Sequence, residues 1–145
     1  LIRALAGGWV FWSLLAAVFA AATAILAKVG VRDTPSDLAT LVRTLVVVAF
    51  AGLIVIATGQ WRGVGELSPR TWLFLGLSGL VTGASWLCYF RALKLGDAAR
   101  VAPLDKLSVV LVAVLGTAFL GEQLSLKNWL GVAMIAGGAV LVALQ

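Results

Sequence analysis

The sequence predicts an all-α integral membrane protein, a bundle of five transmembrane helices joined by short turns. Two observations carry this reading. Of the 145 residues, 62% are hydrophobic and 12% charged, whereas a soluble domain is about half apolar and about a quarter charged. Apolar runs of the roughly 20 residues needed to cross a bilayer also recur five times, over about 9–29, 38–59, 71–94, 98–120 and 128–144. These runs make one transmembrane domain of residues 1–145, with no length left for a soluble domain or linker and no internal repeat.

The first run follows Arg3 and contains "AAAT", a loose likeness to the end of a secretory signal. Its apolar stretch exceeds the 7–15 residues usual for a signal, so it is expected to stay as a span. The chain opens on Leu1, and a short preceding stretch with the initiator methionine is expected. In "VRDTPSD" (31–37), Ser36 and Asp37 are expected to cap the second helix. "QWRGVGELSPR" (60–70) reads as an interfacial loop. "LGD" (95–97) and "GEQLS" (121–125) each place a glycine after a helix, where left-handed backbone is needed. Trp9, Trp12, Trp61, Trp72 and Trp129 lie near span ends, as an aromatic belt requires, while Trp86 lies deep in the third span. Gly76, Gly79 and Gly83 suggest a small-residue face for close helix packing.

Several chemistries are excluded. "GLSG" (76–79) matches the surroundings of an intramembrane serine nucleophile, but a Ser–His dyad needs a histidine and the chain has none. Without histidine, and with Cys88 as the one cysteine, no zinc site can be assembled and no intrachain disulfide can form. No phosphate-cradling GxxxxGK[ST] loop is present. No enzymatic activity, catalytic residue, metal or cofactor is therefore expected. The net charge of +5 does not indicate nucleic-acid binding, because the basic residues are scattered over both sets of loops.

In a membrane protein those charges set orientation, through an excess of Lys and Arg on one side. One side carries Arg3, Arg62, Arg70 and Lys127; the other carries Lys28, Arg32, Lys94 and Arg100, with Arg91 about a turn deeper. Four against four or five favours neither orientation. Either a charge outside this stretch decides, or the protein inserts both ways and pairs with its own inverted copy.

The polar groups within the spans are Arg43, Asp105 and Lys106, with Arg91 at the margin of the set. Ionisable groups in lipid are costly and usually face a cavity or a partner. At 1.5 Å per residue, Arg43 and Asp105 both fall roughly 8–10 Å inside the same face, so the two could pair. Lys106, about 100° around the helix, is not expected to pair with Asp105. Each group also has a simpler reading. A helix starting at Pro103 would put Asp105 at its third position, complementing the helix dipole, and Arg43 could extend to the headgroups. Trp86, Tyr89 and Phe90 share one helix face, either as packing between helices or as an aromatic wall for a ligand.

The stretch "SWLCYFRALKLGDAARVAPLDKLSVVLVAVLGTAFLGEQLSLKNWLG" (85–131) resembles the second half of an EamA-type domain of the drug/metabolite transporter superfamily. An aromatic third helix ends in ALKLG, an alanine–proline entry follows, and "LGE" precedes an apolar fifth helix. "LAKVG" (26–30) and the arginine of "LVRT" (41–44) extend the likeness over nearly the whole chain. With one five-helix unit, the chain resembles the short bacterial/archaeal subgroup, one half of an inverted-repeat transporter fold.

The resemblance implies a multi-pass protein of the bacterial or archaeal cytoplasmic (inner) membrane that carries a small metabolite by secondary active transport. Its cavity would lie between inverted halves, so a single half would act as an antiparallel homodimer. Arg43, Trp86, Tyr89, Asp105 and Lys106 are then candidates for substrate binding or coupling, and the cation excess leans towards an anionic or zwitterionic solute. Gly131, Met134, Ile135 and Gly138, at spacings of three, four and seven, are candidates for the dimer interface. Small multidrug exporters use a glutamate in the first helix, and this first helix has no carboxylate. The competing class is a non-transporting small membrane assembly or lipid-interacting protein.

Overall fold

The computed structural model describes residues 8–144, so Arg3 of the charge count lies outside the described residues. All regular structure among the described residues is helical: α1 (Trp9–Gly30), α2 (Ser36–Ala57), a 3₁₀ segment (Gln60–Glu66), α3 (Pro69–Leu95), α4 (Ala98–Asp105), α5 (Ser108–Phe119) and α6 (Leu126–Ala143). Five stretches are long and apolar enough to cross a membrane, the fourth being α4 and α5 together, Ala98–Phe119. Hydrocarbon side chains point outward along them: Phe50 is 66% exposed, Leu80 73%, Phe119 80% and Met134 71%. A soluble monomer rarely shows a contiguous apolar patch above a few hundred Å²; lipid or another protein surface must cover these faces.

The chain divides into two compact units. One is Val29–Lys94, and the other joins the chain up to Lys28 to the chain from Leu95 onward.

In the Val29–Lys94 unit, α2 and α3 are tied at one end by long basic side chains. Lys94 Nζ donates to the Thr34 carbonyl at 2.7 Å, and Arg91 meets the Asp37 carboxylate at 3.1 Å. Val31, Thr40, Phe90 and Leu93, all towards this end, are buried. The expected cap is not formed. The N-cap is Pro35, with no side-chain cap bond; Ser36 and Asp37 are already helical, and Asp37 accepts from Arg91 instead. At the other end Gly59 takes the left-handed conformation (φ 70°) and its N–H donates to Ile56 O, which stops α2. The 60–70 loop is mostly the 3₁₀ segment, and Ser68 Oγ caps α3 by accepting from Thr71 N–H at 3.1 Å.

In the second unit, α4 and α5 both pack against α6. Lys28, at the end of α1, donates to the Gly96 carbonyl at 2.8 Å. Gly96 is not left-handed as expected, whereas Gly121 is (φ 68°). The turn at Gly121 folds "LGE" back, so that Glu122 N–H reaches Gly116 O at 3.2 Å. Ser125 Oγ then caps α6 by accepting from Asn128 N–H.

The fourth span is broken. Lys106 N–H bonds to Pro103 O and Leu107 N–H to Leu104 O, both at 3.0 Å, so the chain tightens to i→i+3 spacing before α5 begins. Pro103 lies inside α4 rather than starting the helix. Having no N–H, it cannot bond back to the Ala99 carbonyl, which loses its regular partner.

Candidate functional site

Arg43 sits on the eighth residue of α2, about 10 Å from its start. Its Cζ lies 4.0 Å from the centroid of the Trp86 ring and 5.5 Å from that of Phe90. Trp86 and Phe90, four residues apart, occupy one face of α3 and form a two-ring seat for the guanidinium. Tyr89 is half-buried on the adjoining turn and lies within electrostatic reach of Arg43. The unit thus brings together Arg43, Trp86 and Tyr89. It adds Phe90, which the sequence placed on this helix face but not among the binding candidates.

Asp105 and Lys106 belong to the other unit. Lys106 Nζ and Asp105 Oδ2 form an ion pair at 3.2 Å, the lysine side chain 55% and the aspartate 37% exposed. The expectation that they would not pair fails because it assumed a continuous helix. Lys106 is the residue at which α4 stops, and its long side chain reaches back to the neighbouring carboxylate. The dipole reading of Asp105 also changes. Asp105 ends the short α4 instead of occupying the first turn of a helix that begins at Pro103. A proline and two ionisable residues in the middle of an apolar run were the available signal for the break. Arg43 and Asp105 thus lie in different units, each with a partner in its own.

The glycine faces are open within their units. A methyl group added at Gly76, Gly79 or Gly83 of α3, or at Gly131 or Gly138 of α6, would meet nothing within 4 Å. Ala139, 5% exposed, is the buried residue of α6. At 100° per residue the face holding Gly131, Met134, Ile135 and Gly138 lies roughly a quarter turn away from it, and Met134 and Ile135 are exposed. No group of three or more metal-ligating side chains occurs among the described residues.

Comparison with known proteins is consistent with these features. Residues 7–144 match the EamA-like transporter family. A Sinorhizobium protein named "Uncharacterized transporter in cobO 3'region" is 67% identical over 135 residues, covering 93% of this chain and 96% of the relative. The Bacillus subtilis "Uncharacterized transporter YxxF" is 28% identical over 142 residues; the match takes in 97% of this chain but 44% of that protein. A Hamiltonella defensa protein named "Probable 4-amino-4-deoxy-L-arabinose-phosphoundecaprenol flippase subunit ArnE" is 26% identical over 86 residues, 59% of this chain and 76% of the relative. No solved structure matches. With the family pattern matched from residue 7 to residue 144, this multi-pass membrane protein belongs to the EamA-like transporter family.

Proposed function

We propose that the chain is a secondary active carrier of a small metabolite, working as an antiparallel homodimer. The observation that carries the proposal is the broken fourth span, with the Asp105–Lys106 pair at the break. Backbone that leaves regular helix at membrane depth is tolerated where it lines a cavity or is buried in protein, and carriers commonly bind solutes at such interruptions. In this reading Asp105 is the candidate coupling residue, and Arg43, Trp86 and Tyr89 of one unit and Lys106 of the other are the candidates for solute contact. The cation excess leans towards an anionic or zwitterionic one.

Three observations support the homodimer. The Bacillus relative matches this chain with 44% of its own length, so one copy of the matched unit accounts for under half of that longer protein. The near-equal loop charges permit both insertions. The open face of α6, with Gly131, Met134, Ile135 and Gly138, allows close approach of two backbones.

The test is uptake by proteoliposomes of a panel of labelled small solutes under an imposed proton gradient. Concentrative uptake that Asp105→Asn abolishes, while exchange at equilibrium persists, supports the proposal. Absence of flux for every solute, in protein shown to be folded, would overturn it. A second reading, a lipid-linked cargo, is favoured by the likeness to the flippase subunit. It would show as translocation of a polyprenyl-phosphate-linked sugar between leaflets in the same vesicles.

A further inference from the structure

We infer that Arg43 is the anchor for the anionic head of the solute, a carboxylate or phosphate, and that the carrier selects amphipathic organic anions over cations. The inference rests on the carrier reading above and adds the residue that reads the charge.

Charge balance favours an anion. Asp105 and Lys106 neutralise each other at 3.2 Å within their own unit. In the Val29–Lys94 unit the Asp37 carboxylate, less than two turns from Arg43 along α2, is held by Arg91 at 3.1 Å. These carboxylates thus have cations of their own, and Arg43 has aromatic rings. Ring faces attract a cation but do not cancel its charge. In its unit Arg43 thus carries a charge within a span with no carboxylate paired to it, where uncompensated charge is costly. An anion would supply the counter-charge that Arg43 lacks there, and a cation would add to the charge already present.

The geometry around Arg43 favours the same solute. The guanidinium held 4.0 Å from the Trp86 ring centroid presents a planar fork of N–H groups that fits the two oxygens of a carboxylate or phosphate. Within its unit no hydrogen bond takes up those N–H groups. The indole also fixes a side chain that would otherwise lose considerable freedom on binding. The half-buried Trp86 and Tyr89 beside the charge offer apolar surface to the body of the solute. A bare inorganic ion would leave that surface unused.

The experiment compares three probes on full-length protein: benzoate, inorganic phosphate and benzylammonium. Thermal unfolding in detergent reports binding, and solid-supported-membrane currents on proteoliposomes report transport. Benzoate is expected to raise the melting temperature and, in the carrier, to drive a current. Phosphate should act more weakly and benzylammonium not at all. Arg43→Gln should weaken benzoate binding at least tenfold, and Arg43→Lys should retain part of it. An anion response unchanged in a folded Arg43→Gln variant, or a preference for benzylammonium, overturns the inference and leaves transport standing. Benzoate binding that depends on Arg43 but never yields a current keeps the inference and removes the carrier reading. Repeating the unfolding with and without phosphatidylglycerol separates the sources. If the lipid headgroup is the natural anion, it alone will give the Arg43-dependent shift and benzoate will add nothing.

Discussion

The guanidinium carbon of Arg43 lies 4.0 Å from the centroid of the Trp86 ring, so a charge on α2 is held by an aromatic face on α3. A contact of this kind contributes about 0.5–2 kcal/mol, more as it is desolvated. A double-mutant cycle with Arg43→Gln and Trp86→Leu should give a coupling energy in that range from unfolding in detergent. Phe90, at 5.5 Å, takes up part of the interaction, so Trp86→Leu alone should cost less than the pair separately suggests. A coupling of zero would mean that the two side chains are neighbours without interaction.

The Arg91–Asp37 bridge should behave differently. Its distance is short, 3.1 Å, but the side chains are 65% and 61% exposed. Exposed ion pairs are worth about 0–1 kcal/mol and weaken further in salt. Asp37→Asn should therefore move the melting temperature little, and raising salt should erase the difference. A loss well above 1 kcal/mol would show that lipid or protein shields the pair.

Much of the fold was legible because bilayer thickness constrains it so strongly. Apolar runs of the right length and the glycines and prolines between them located all five spans to within a few residues. The finer features depend on which of several polar groups wins a given partner, and that competition is three-dimensional. Ser36 and Asp37 have the chemistry of a cap, yet Asp37 accepts from Arg91, 54 positions away. Ser68 caps α3 with no more sequence signal than they had. Gly96 and Gly59 both follow helices, but Gly59 alone of the two is left-handed. The seat for Arg43 was half legible: a period of three and four puts Trp86, Tyr89 and Phe90 on one face, but not which ring the arginine meets. The Asp105–Lys106 pair was not legible from helical geometry, because the helix stops there.

That break should respond to Pro103. A proline within a helix costs about 3 kcal/mol relative to alanine, since it removes a hydrogen bond and crowds the preceding turn. Pro103→Ala is expected to stabilise the protein and to protect the amides of Lys106 and Leu107 from exchange as α4 and α5 merge. The Asp105–Lys106 pair should then open, because adjacent residues on a regular helix point about 100° apart. Transport should fall although the protein is more stable. If exchange at 106 and 107 does not change, the tight turn is held by the ion pair rather than by proline.

The homodimer makes the most demanding prediction, because it concerns two orientations of one sequence. Gly138 lies on the open face of α6, where an added side chain meets nothing in its own unit within 4 Å. Gly138→Ile should therefore leave the fold and the melting behaviour of the monomer unchanged while separating the dimer, seen by mass photometry in detergent. Association in lipid is driven by close packing, so one bulky residue at the closest approach is enough. Topology gives an independent readout. With a reporter on the C-terminus, a chain whose flanking charges nearly balance should show the tag on both sides of the membrane. Adding one arginine near the N-terminus should collect the tag on one side and abolish transport, because no inverted partner remains. Co-expression with a copy locked in the opposite orientation should restore it. If the tag stays on one side throughout and Gly138→Ile has no effect on association, the antiparallel homodimer is wrong.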